Sequence, residues 1–115
     1  MANPVAWFEV HGKDGAKLSS FYQQLFGWKI DSNNPMNYGM VDTGAGDGAI
    51  GGGISGGDEP WVTIYVSVPD LDAAVADATR LGGKVVQPPE DVPGGPRIAL
   101  ITDPEGNRIG LMKPA

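Results

Sequence analysis

Two stretches of this chain, Val5–Ile54 and Trp61–Met112, read in the same order: a strand, a helix, then three short strands. Asp14 and Asp70 occupy matching points, 56 residues apart. Gly27-Trp28-Lys29-Ile30 is echoed at Gly82-Gly83-Lys84-Val85, now 55 apart, so the register slips by one residue inside the helix. A repeat of about fifty residues is too long for a small solenoid unit and suits a duplicated supersecondary module. Two such modules facing each other would enclose a groove, which is where function is expected.

The first strand pattern spans Val5–His11. Ala6, Phe8 and Val10 make one face, and Val5, Trp7, Glu9 and His11 a mixed one, the period of two expected of a half-buried strand. Asp14 can cap a helix with an apolar stripe of Leu18, Phe21, Tyr22 and Leu25, stopped by Gly27. In the second half Val62, Ile64, Val66 and Val68 alternate with Trp61, Thr63, Tyr65 and Ser67, and the helix-facing sides are expected to take Phe8, Val10, Ile64 and Val66 into the core. Asp70 can cap a helix carrying Leu71, Ala74, Val75, Ala78 and Leu81, ended by Gly82-Gly83. Short β segments follow: Trp28–Asp31, Tyr38–Asp42 and Ala49–Ile54, then Lys84–Gln87, Arg97–Thr102 and Arg108–Met112. Asp103-Pro104-Glu105-Gly106 should close a tight hairpin, because Pro pre-sets φ and Gly tolerates a positive φ. The segment Gln87–Pro96 is rich in Pro and Gly and reads as irregular, either a rim beside the groove or a connecting loop.

At 115 residues the chain can bury one core without disulfide or metal staples. It has no cysteine, which excludes disulfides, thiolate metal sites and a cysteine nucleophile. A formal charge of −6 argues against nucleic acid and against an anionic membrane surface. No apolar run approaches a membrane span, and Met-Ala-Asn-Pro is unlike a secretion signal. A cytoplasmic location is expected.

Three phrases carry a family resemblance. Phe21-Tyr22-Gln23-Gln24-Leu25-Phe26-Gly27-Trp28, Tyr65-Val66-Ser67-Val68-Pro69-Asp70-Leu71-Asp72-Ala73-Ala74 and Asp103-Pro104-Glu105-Gly106-Asn107-Arg108-Ile109 stand in the order found in the vicinal oxygen chelate superfamily. That group includes glyoxalase I, extradiol dioxygenases and bleomycin-binding resistance proteins. The resemblance covers nearly the whole chain. It implies an α+β fold in which two βαβββ modules, approximately 4–57 and 60–114, form one glyoxalase-like domain over residues 1–115. Their strands would make a curved mixed sheet around a central cleft, with the helices outside. Fold alone does not choose among the family's activities.

The resemblance also implies where a divalent metal would be held, by His and Glu side chains on the first and last strands of the modules. Those positions fall here at Trp7, Thr63, Gly110 and within Gly51-Gly52-Gly53. Indole, one hydroxyl and glycine do not supply an imidazole and carboxylate set, so no metal and no cofactor are expected. Glu9 and His11 lie two apart on one strand face. They could make a weak two-ligand site, or His11 could contact ligand or move a proton, since imidazole titrates near neutral pH. Glu9 must find partners or face a wet cleft, and a charge pair with Arg97 or Arg108 would serve. The Gly-rich run Thr43–Gly57 lacks a Gly-Lys-Ser/Thr ending and a following helix, which excludes a phosphate loop. No hydrolase nucleophile motif is present.

Trp7, Glu9, His11, Trp61, Thr63 and Tyr65 share the strand parity that points away from both helices, so they are the expected ligand-binding residues. The aromatic members could equally serve to pack the modules together, which is compatible with ligand contact. The leading expectation is a protein that binds a small aromatic or apolar molecule in a metal-free cleft. The alternative is a lyase, isomerase or dioxygenase of the same superfamily with an atypical metal site. A small-molecule ligand and a second copy of the chain, in a homodimer, are the expected partners.

Overall fold

Asp14 and Asp70 do begin the two helices. In a computed structural model, which describes residues 2–44, 46 and 48–114, each is an extended N-cap. Their carboxylates accept from Lys17 N and Ala73 N, both at 3.0 Å, satisfying amides that the first helical turn leaves open. The element order is β1 (Val5–His11), α1 (Gly15–Phe26), β2 (Lys29–Asp31), β3 (Gly39–Asp42), β4 (Gly51–Ser55), β5 (Trp61–Ser67), α2 (Leu71–Arg80), β6 (Lys84–Asp91), β7 (Arg97–Thr102) and β8 (Arg108–Lys113). This is βαβββ twice over, an α+β fold. Gly27 ends α1 at φ 72°, where its N–H reaches the Gln23 carbonyl at 2.9 Å.

The chain forms two compact units, residues 7–63 and residues 64–114 together with the segment before Trp7. In the first, β1 runs parallel to β4 while β4, β3 and β2 are antiparallel neighbours, giving the order β2-β3-β4-β1. In the second, β5 runs parallel to β8, and β8, β7 and β6 are antiparallel, giving β5-β8-β7-β6. Each sheet is therefore mixed, with a helix between its parallel strands in sequence.

The first core gathers Val10, Val41 and Ile54, with Phe8, Leu18, Tyr22, Trp28 and Ile30 packed against them. Trp28 stands among Phe8, Tyr22 and Phe26, with ring centroids 5.1–5.4 Å away. Half of the expected α1 stripe stays out: Phe21 and Leu25 are exposed. The second core joins Val68, Leu71, Ala99 and Leu111 with Val66, Ala74, Val75 and Ile101. The expectation that Ile64 enters this core is not met, and both Val62 and Ile64 are exposed. The reason is placement: α2 packs over β6, β7 and β8, so only the C-terminal end of β5 reaches beneath it.

A second correction concerns Gln87–Pro96. Rather than being irregular throughout, its first part continues β6 to Asp91, with Glu90 opposite Ile98 and Asp91 opposite Arg97. The ladder shifts register between Val85 and Gln87 and again between Gln87 and Glu90. Pro88 and Pro89 sit inside the second shift, where a bulge demands no amide donor from them. Asp103–Gly106 turns tightly as expected, with Gly106 N on the Asp103 carbonyl at 2.9 Å and φ 91° at Gly106. No helix among the described residues is long and apolar enough to cross a membrane.

Candidate functional site

The glycine run in β4 is the floor of the first module's polar face. Strand register places Trp7 opposite Gly51, Phe8 opposite Gly52 and Glu9 opposite Gly53. Each glycine lies under an aromatic side chain. A Cβ on Gly51 would stand 3.0 Å from the Trp7 ring, and one on Gly52 would stand 2.3 Å from the Phe8 ring on the opposite face. A Cβ on Gly53 would fall 1.6 Å from the Tyr38 hydroxyl. Glycine is required here for close approach. Within Thr43–Gly57, Ala45 and Asp47 lie outside the described residues.

Tyr38 is delivered by the loop that joins β2 to β3. The Asn34 side chain clamps its backbone, donating to the Tyr38 carbonyl at 2.7 Å and accepting from its N–H at 2.9 Å. Asn37, just before it, takes φ 52°, a left-handed conformation that Asn tolerates better than most residues. The Tyr38 hydroxyl then accepts from Trp7 Nε1 at 3.0 Å and donates to Glu9 Oε2 at 2.6 Å. Glu9 Oε1 meets His11 Nε2 at 2.6 Å. An ionised carboxylate only accepts, so with Glu9 ionised the donor of that contact would be Nε2.

The far side of His11 is closed by the segment after β4. Gly12 N bonds to the Ser55 carbonyl at 3.1 Å, Gly57 N to the Lys13 carbonyl at 3.1 Å, and Asp58 N to the Gly12 carbonyl at 3.2 Å. This zipper sets Asp58 Oδ2 at 3.7 Å from His11 Nδ1, where it also accepts from Trp61 Nε1 at 2.9 Å. The Trp61 ring stacks on the imidazole, with centroids 4.1 Å apart and planes 14° apart. One connected chain thus runs Trp7, Tyr38, Glu9, His11, Asp58, Trp61. Its middle is well covered: the side chains of Glu9 and His11 are 13% and 10% exposed, against 52% for Asp58.

Of the six expected residues, Trp7, Glu9, His11 and Trp61 are therefore brought together. Thr63 and Tyr65 are buried, at 4% and 6% exposure. Tyr65 lies over Gly110, its register partner on β8, where a Cβ would stand 2.5 Å from the ring. Sequence reasoning missed Tyr38 and Asp58. Tyr38 is 29 residues from Glu9, and the only local signal was the Asn-rich loop that aims it.

Beside Trp7 runs an open groove of about 460 Å³. Its other polar and flexible walls are Lys29 and Asp31 on β2 and Met40 and Asp42 on β3. Lys29 stands opposite Asp42 and Asp31 opposite Met40, while Met40 is also opposite Gly53. Direct cross-strand partners share a face, so the groove continues the Glu9 face across the sheet, and Ile30 and Val41 turn to the core. Trp7 is the one expected site residue that lines it.

A profile of the glyoxalase/bleomycin resistance protein/dioxygenase superfamily matches residues 5–111. The chain belongs to this superfamily. Among superfamily relatives, the glyoxylase-named protein CFP32 of Mycobacterium tuberculosis (strain CDC 1551 / Oshkosh) is 31% identical over 113 residues, covering 91% of this chain and 43% of that protein. The anthracycline biosynthesis protein DnrV of Streptomyces peucetius is 29% identical over 126 residues, covering 94% of this chain and 46% of that one. The chain thus spans less than half the length of these relatives. Methylmalonyl-CoA epimerase from Mycobacterium tuberculosis shares the fold, with a TM-score of 0.71 at 16% identity over 96% of this chain and 87% of that one.

A divalent metal of the kind the resemblance implies would need imidazole and carboxylate donors. Register makes Gly53 the counterpart of Gly110, because they oppose Glu9 and Tyr65, which hold equivalent places on β1 and β5. Both last-strand ligand positions are glycine, and the space of each missing side chain is filled by a tyrosine, Tyr38 in one module and Tyr65 in the other. The first-strand positions are Trp7 and Thr63. This donor set does not fit a divalent ion. Among the described residues, no three His, Cys, Asp or Glu side chains gather as a metal cluster.

Proposed function

We propose that this chain is a binding module of its superfamily, holding a small, flat, largely apolar molecule against Trp7 without a metal. The observation that carries the reading is the pairing of glycine with an inserted tyrosine at both superfamily ligand positions. That pairing replaces a Lewis acid with aromatic surface and hydrogen bonds. The groove's volume of about 460 Å³ lies in the range of small-molecule sites. Trp7 is anchored through Nε1, so its ring is held ready rather than ordered on binding. The name of DnrV ties that relative to anthracycline biosynthesis, and anthracyclines are built on a flat anthraquinone ring system.

The test is calorimetric titration of the full chain with 2-(hydroxymethyl)anthraquinone, a neutral flat probe. Saturable binding is expected, weakened by Trp7→Ala roughly tenfold or more, the scale of a lost aromatic contact plus its burial. Trp28→Phe, in the helix-side core, should leave the affinity unchanged. Absence of saturable binding, or insensitivity to Trp7→Ala, overturns the reading. One equivalent of tightly held metal, lost on His11→Ala, would instead establish an enzyme with an atypical metal site.

A further inference from the structure

We infer that the groove beside Trp7 selects flat ligands that carry a positive charge, an inference that rests on the binding reading above. Glu9 is the one carboxylate among the six expected ligand-binding residues. In the structure its two oxygens are engaged by His11 and Tyr38, and it does not line the groove. The charges that do are Asp31, Asp42 and Lys29.

Each aspartate is held by one oxygen. Asp31 Oδ1 accepts from Asn33 N at 2.9 Å, and Asp42 Oδ1 accepts from Gly44 N at 2.8 Å. These bonds orient the carboxylates and leave Oδ2 of each able to take a further donor. Lys29 faces Asp42 across the ladder, yet among the described residues neither aspartate nor Lys29 forms an ion pair. The groove therefore offers two carboxylates against one ammonium. An anionic ligand would meet net repulsion, whereas an ammonium can approach Asp31 and Asp42, diagonal neighbours across the ladder, while its ring system lies along Trp7 and Met40. The Trp7 N–H is already committed to Tyr38, so the indole has its carbon surface and π system to give, and that surface also favours a cation. The chain's charge of −6 acts in the same direction at longer range. Charge selection thus belongs to two exposed strand positions, and the partly buried Glu9–His11 pair keeps a separate, architectural task.

Three anthraquinones matched in shape separate this inference from the reading it rests on: the 2-aminomethyl compound (cation), the 2-hydroxymethyl compound (neutral) and the 2-carboxylate (anion). Titrated into the full chain at low salt, the cation should bind roughly tenfold more tightly than the neutral probe, the scale of two exposed charge contacts. The anion should bind most weakly, and the spread should shrink as salt rises. Asp31→Asn with Asp42→Asn should bring cation and neutral probe to equal affinity, and Lys29→Gln should widen the preference. Equal affinity of all three for the wild type, or a preference that survives the double Asn variant, overturns the charge inference and leaves the binding reading standing. Failure of all three to bind overturns both.

Discussion

The two modules empty the same strand position and fill it by different routes. In the second, Gly110 is covered by Tyr65, its direct partner on the adjacent parallel strand. In the first, Gly53 is covered by Tyr38, which arrives from a loop and brings Trp7 and Glu9 into its hydrogen bonds. The second solution is a matter of packing between neighbours. The first makes a polar network out of the same vacancy. The two modules therefore share the geometry of this strand position and differ in the chemistry around it.

The comparison breaks most visibly under alanine. Gly110→Ala should be the more damaging, by about 3 kcal/mol or more, because its Cβ would press within 2.7 Å of the base of a buried ring that has no room to retreat. Gly53→Ala meets instead the far end of Tyr38, which can swing out at the cost of two hydrogen bonds, about 2 kcal/mol. Chemical denaturation of both variants ranks them. The reverse order would show that the first module is the more rigid of the two.

Tyr38→Phe sharpens the distinction. The ring still covers Gly53, but Trp7 Nε1 and Glu9 Oε2 each lose a partner, at an expected cost of about 1–2 kcal/mol. Tryptophan emission should shift as Trp7 is released. A variant as stable as wild type, with unchanged emission, would reduce the network to packing and erase the contrast between modules.

The smallest effect belongs to the turns. Asp103 receives Glu105 N, Asn107 N and Asn107 Nδ2, all at 2.9 Å, whereas Asp42 receives Gly44 N. The Asn107 side chain, then its backbone N–H, hold the Asp103 carboxyl below the usual carboxylate range. A lowered folded value means that the contribution is present above the unfolded value and fades as pH falls through the folded one. Asp103→Ala should therefore show a slightly smaller loss of Tm than wild type on acidification below about pH 4. Identical acid profiles would mean that the turn's hydrogen bonds add nothing to stability.

What the sequence disclosed was whatever local chemistry determines. Asp14, Asp70 and Gly27 announce helix ends because caps act within a turn, and the Asp103 hairpin is written in four adjacent residues. The repeat made the topology legible for the same reason, since each module repeats those signals in order. Ile64 misled because alternation gives the faces of a strand but not how far a helix extends over it. Glu9 and His11 were recognisable as a pair from their spacing. Tyr38 and Asp58 were not, because their roles depend on a loop folding back across the sheet and on backbone hydrogen bonds between Gly12–Lys13 and the segment after β4.

The interrupted ladder of β6 has a consequence for the protein's behaviour in concentrated solution. β6 is the outermost strand of its sheet, and an outermost strand with a full row of amides is a template on which another chain can polymerise. Pro88 and Pro89 have no amide N–H to contribute to such a row, and Glu90 and Asp91 add like charge directly after them. A second chain laid along this border would find its hydrogen bonds broken and its own β6 repelled. The two prolines thereby make this border a poor template for fibril growth whenever the protein is folded.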